Sequence, residues 1–97
     1  MNLSLHPAAE ADIEGAAQFY EQESSPALAA RFVAEFSKLT NLLADHPEIG
    51  SPRSKGRRGL CMNVFPYTVI YRHSGQDIRI LVVKHDRKRP GFGQSRT

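Results

Sequence analysis

The residues of this chain best suited to act on phosphate are two crowded groups of cations and one histidine. Arg53, Lys55, Arg57 and Arg58 occupy one short stretch, and Lys84, Arg87, Lys88 and Arg89 surround His85 further along. Cleaving an RNA phosphodiester requires a base for the ribose 2′-hydroxyl and an acid for the departing 5′-oxygen. It also requires cations for the charge that builds on the phosphorane-like transition state. Lysine and arginine suit that last task. His85, set among cations that favour a neutral imidazole, is the candidate to move the proton. Each group has a plainer alternative. Surface cations can be solvated or face a partner, and a histidine at a strand end can tie chain segments together through a ring nitrogen. Glu48 either serves as a base from its loop or simply follows a helix stop at Pro47. His6, His46 and His73 adjoin a helix start, a helix end and a turn, where capping or exposure accounts for them. Tyr20, Tyr67 and Tyr71 fall within predicted elements and fit a core better than a site. Phe92 can stack on a base but cannot transfer a proton.

Composition narrows the setting. A chain of 97 residues, 40% hydrophobic and 24% charged, is expected to fold as one domain over residues 1–97, because so short a chain cannot build two cores. Cys61 is the single cysteine, so neither a disulfide framework nor a zinc motif is expected, and a reducing cytoplasm is the natural compartment. No metal or cofactor is expected. The opening residues lack a basic region followed by an apolar run, and no stretch approaches the roughly 18 apolar residues of a membrane span, so neither secretion nor membrane insertion is expected. The net charge of +3 conceals a division: residues 1–50 carry eight acids and two bases, and residues 51–97 eleven bases and two acids. The basic half would attract phosphate backbones or an acidic protein over long range.

These groups must be positioned by a small set of elements. Leu3 and Leu5 alternate with polar neighbours as a short strand, ended by His6-Pro7, where proline can open a helix. From Ala8 to about Gln22, Ile13, Ala16, Ala17 and Tyr20 mark one helical face. Ser24-Ser25-Pro26 breaks that helix and caps the next, in which Leu28, Phe32, Phe36, Leu39 and Leu43 recur at helical spacing up to Asp45-His46-Pro47. The short connection predicts an antiparallel αα-hairpin. The span from Pro47 to Gly59 is too polar and broken for an element and is expected to be a loop. Two strands follow, the first with Leu60, Met62 and Val64 alternating with Cys61, Asn63 and Phe65, the second over Tyr67–Arg72. After a turn at His73–Asp77, the almost continuously apolar run Ile78–Val83 suits a strand buried on both faces. Residues 86–97 form a basic tail expected to be irregular. The order β-α-α-β-β-β predicts an α+β fold in which the αα-hairpin packs on a small, mainly antiparallel sheet, with a meander that could bring the two basic clusters near one face.

Several motifs in one order carry a resemblance to a known family. They are His6-Pro7 followed by Ala8, Ala11, Asp12 and Ile13, then Arg31-Phe32, then Pro47-Glu48-Ile49-Gly50-Ser51-Pro52. Arg58-Gly59-Leu60, Phe65-Pro66-Tyr67-Thr68-Val69-Ile70-Tyr71-Arg72 and the run from Val82 to Phe92 complete the set. Together they resemble the RelE/ParE toxins of type II toxin–antitoxin systems over nearly the whole chain. The Phe-Pro-Tyr strand and the His85-to-Phe92 ending look closer to ParE-like members. The resemblance implies a growth-inhibiting toxin and a cognate acidic antitoxin in a hetero-oligomer, its disordered end folding over the hairpin towards the basic sheet. It further implies either DNA gyrase as target, without catalysis, or ribosome-bound mRNA as substrate. An inactive relative that keeps only antitoxin binding is the third possibility. Ribosome-dependent members often carry a tyrosine shortly after the last strand, where this chain has Phe92. The expected target-binding residues are Arg53, Arg57, Arg58, Lys84, Arg87, Arg89 and Phe92, with His85 as catalytic candidate if the chain is a nuclease.

Overall fold

The computed structural model of the protein describes residues 2–97. A strand β1 (Asn2–Leu5) leads into helices α1 (Pro7–Glu23) and α2 (Pro26–Asp45). A two-residue strand β2 (Ser51–Pro52) and a short 3-10 turn (Ser54–Gly56) follow, then β3 (Arg58–Cys61), β4 (Tyr67–Ser74) and β5 (Asp77–His85). The helix starts obey local chemistry. His6 Nδ1 accepts the Ala8 amide at 3.0 Å and Ser25 Oγ accepts that of Leu28 at 3.1 Å, each just ahead of a first-turn proline.

The sheet runs β1-β5-β4-β3-β2, parallel between β1 and β5 and antiparallel elsewhere. Both helices lie on one face. Phe32, Phe36, Leu39 and Leu43 from α2 meet Tyr67, Val69, Tyr71, Ile78 and Ile80 from the sheet, and Tyr20, Phe32, Phe65 and Tyr67 form a cluster of tilted and edge-to-face rings 5.0–6.4 Å apart. A second, smaller core of Ile70, Leu81 and Val82 occupies the outer face under Phe92. The apolar run of β5 is therefore buried on both faces, as expected.

Three details depart from the sequence reading. The span 47–59 is not all loop: Ser51 and Pro52 pair with Gly59 and Arg58. The second expected strand, observed as β3, starts earlier and stops at Cys61, because Val64 takes a left-handed backbone (φ 73°) and Phe65 turns into the core, breaking the alternation. The segment after His85 is irregular, as expected, yet it packs on the sheet. Replacing Phe32, which is fully buried, by alanine should cost about 3–5 kcal/mol through lost burial and a cavity. Chemical denaturation would register this as a lower midpoint with an unchanged slope.

Candidate functional site

Pairing between β1 and β5 stops at Leu5 and Ile80, so the end of β5 has no strand beside it on that edge. A strand edge left this way offers unpaired amides and carbonyls. Asp12 of α1 answers one of them, accepting the Val83 amide at 3.0 Å through Oδ2. The same carboxylate holds the Arg96 guanidinium through both oxygens, at 2.5 and 3.3 Å, and Arg96 donates to the Leu81 carbonyl at 3.0 Å. One ion pair, mostly withdrawn from water, thus closes the edge and draws the C-terminal segment back across the outer face.

Phe92 seals the second core there, with Lys88 Nζ at 5.3 Å and the Arg96 guanidinium at 5.0 Å from its ring centre. Gly93 is required twice over: its φ is +78°, and a Cβ would come within 2.5 Å of the Val82 side chain. Arg57, buried just before β3, grips this strap by donating to the carbonyls of Gly93 (3.1 Å), Gln94 (2.9 Å) and Arg96, while its Nε finds no partner among the described residues. Burial above all, then the Arg72 and Arg96 charges, lowers the Arg57 pKa from its ordinary value.

The predicted site residues therefore divide. Arg57 holds the strap, and Arg58, half-buried, donates to the carbonyls of Glu48 (3.2 Å) and Gly50 (2.9 Å). Lys84 is buried opposite Thr68, and Phe92 packs inward. Arg53, Arg87 and Arg89 are exposed, together with Lys55 and Lys88. The meander does not merge the clusters directly, since Arg58 pairs with Tyr71 and Lys84 with Thr68, further along β4. The strap joins them, with Lys55 Nζ reaching the Gln94 carbonyl at 3.3 Å. His85 accepts the Arg87 amide through Nδ1 at 3.0 Å and meets the Tyr67 ring edge-on at 5.2 Å, which places the proton of the neutral ring on Nε2.

Between α1 and the end of β5 lies a groove of about 350 Å3, with Ala11, Gly15 and Phe19 on the helix side and Tyr67, His85 and Lys88 on the other. A Cβ at Gly15 would meet nothing within 4 Å, and Phe19 is 56% exposed. Burial, with Tyr20 alongside, raises the pKa of the Tyr67 hydroxyl, which stays neutral in this wall. Sequence reasoning missed Asp12, Gly15, Phe19 and Arg96. A signal existed for Asp12, which lies three residues after buried Ala9 and four before buried Ala16. That spacing sets an acid on the inward side of the helix, where it needs a partner.

The family model for the ParE toxin of type II toxin–antitoxin systems, parDE, matches residues 3–90. The chain belongs to this family of ParE toxins. A solved structure described as the chromosomal ParDE toxin–antitoxin system from P. aeruginosa shares the fold. Its TM-score is 0.78 at 24% identity, over 88% of this chain and 95% of that one. No curated protein gives a significant match. No helix of the described residues is long and apolar enough to cross a membrane.

If Arg57 holds the strap, Arg57→Ala should leave three strap carbonyls without their charged donor and cost on the order of 2–3 kcal/mol. Limited proteolysis should then cut within residues 91–97 well before the wild type is cut. Arg57→Lys, with a point charge in place of a fork, should restore only part of the protection.

Proposed function

We propose that this chain arrests growth in the cytoplasm by binding DNA gyrase, without a cleavage step, and that a cognate acidic antitoxin neutralises it in a hetero-oligomer. The division of the cations carries this reading. Arg57, Arg58 and Lys84 are committed to the fold, and His85 is engaged in its own turn. What remains outward, besides Arg53 and the strap-bonded Lys55, is the ridge Arg87, Lys88 and Arg89, a surface suited to docking on an enzyme that handles nucleic acid. The absence of an ionisable aromatic where Phe92 stands supports binding over proton transfer.

The groove beside this ridge is the seat we assign to the antitoxin. Its floor is apolar, and the ridge supplies positive charge, so it suits an acidic segment that inserts one or two apolar side chains. The outer side of α1 suits it less, because Glu10, Glu14 and Glu21 are exposed there.

Induced expression tests both halves. Replacing Arg87 and Arg89 together by alanine should leave stability within about 0.5 kcal/mol and sharply reduce growth arrest. His85→Ala should retain most toxicity. If it abolishes arrest in a protein that still melts normally, and codon-directed mRNA cuts disappear with it, the nuclease reading replaces this one. Gly15→Leu should fill the groove without disturbing the fold and weaken antitoxin co-purification by about tenfold or more while sparing toxicity. Undiminished co-purification would place the antitoxin elsewhere.

A further inference from the structure

A second groove, larger than the one beside the ridge, lies at the end of α2. It measures about 610 Å3 and is lined by Leu42, Asp45, His46, Pro47, Glu48 and Ile49. Leu42 is 41% exposed and Ile49 46%. Isolated exposed apolar residues are ordinary. This pair differs in being held outward by a dedicated frame. The hydroxyl of Tyr71, whose ring is fully buried, accepts the Gly50 amide and donates to the Pro47 carbonyl, both at 2.9 Å. Arg58 fixes the carbonyls of Glu48 and Gly50 from the other side. A Cβ at Gly50 would lie 2.7 Å from the Tyr71 oxygen, so the loop already sits as close to the sheet as a glycine permits. Four hydrogen bonds thus prevent Ile49 from folding inward and present it, rigid, beside Leu42. Rigidity of this kind lowers the ordering cost of association.

The charge around the groove selects its occupant. Asp45 and Glu48 are exposed at the rim, no lysine or arginine of the described residues lines the groove, and Arg58 is turned to the loop carbonyls. An acidic antitoxin would be repelled here. We propose that this groove is a second docking site, through which the toxin grips its protein target by a segment carrying an apolar side chain flanked by lysine or arginine. The site rests on the reading that the chain acts by binding a protein. It lies towards the Tyr71 end of β4, about 13 Å along the strand from Tyr67, which packs on His85 below the ridge.

The test is induced expression of the full chain with Ile49→Asp, Glu48→Lys and Ile49→Val, alongside thermal melting, co-purification with the cognate antitoxin and sizing of the purified protein. Ile49→Asp should melt like the wild type, bind the antitoxin equally well and lose growth arrest by about tenfold or more, as removal of a central contact does. Glu48→Lys should lose several-fold, and Ile49→Val should keep most of the toxicity. If Ile49→Asp fails to fold, Leu42→Ser combined with Ile49→Ser gives the same comparison. Full toxicity of a folded Ile49→Asp protein overturns the site while leaving the toxin reading intact. Joint loss of toxicity and antitoxin binding overturns it in favour of the antitoxin, and loss of a wild-type dimer in favour of a second copy. A wild-type chain that does not arrest growth overturns the toxin reading and this site with it.

Discussion

The structure depends on how the end of β5 is closed. The first strand covers only the beginning of that edge, and beyond it the sheet would offer open backbone to any passing strand. Asp12 closes it from the helical layer and Arg96 from the C-terminus, and because the two pair with each other, one contact joins both layers of the protein to the end of the chain. The rest follows in order. The returning strap lays Phe92 over the second core, its carbonyls accept from the two terminal nitrogens of buried Arg57, and the turn that starts it lifts Arg87, Lys88 and Arg89 outward. The basic ridge is thus held by the same contact that completes the sheet.

Charge is sorted along the chain, and the fold preserves the sorting. The helices keep most of the acids and the strands and strap most of the bases, so the two grooves differ in the charge at their rims. In the proposed assembly an acidic antitoxin occupies the groove beside the ridge, and the acid-rimmed groove at the end of α2 is left for a partner with basic flanks. Such complementarity sets encounter rate and register more than final affinity, which the buried apolar contacts supply.

The helices and β5 were legible in the sequence because their signals are local. Steps of three and four through Phe32, Phe36, Leu39 and Leu43 need no tertiary knowledge, and an apolar run of strand length implies burial on both faces. Elements made by distant partners were not legible. Ser51 and Pro52 form a strand only because Arg58 and Gly59 lie opposite, and residues 91–97 are ordered only because Asp12 and Arg57 wait for them. The candidate site suffered most from this. Arg53 and Arg57 are the same residue type, four positions apart, yet one lies exposed and the other is sealed under the strap. Side-chain type and local spacing carry no trace of that difference. His85 was read both as an acid–base candidate and as a strand-end tie, and its bond to the Arg87 amide is the geometry of the tie.

The central claim is that this ParE-family chain acts by docking rather than by cutting RNA. Reconstitution from purified parts tests it most directly: the chain is added to gyrase, supercoiled plasmid and ATP in one reaction, and to ribosomes programmed with mRNA in another. The account predicts gyrase-linked DNA breaks or loss of supercoiling in the first, relieved by the antitoxin, and intact message in the second. Message cut within codons, with supercoiling unaffected, would contradict it.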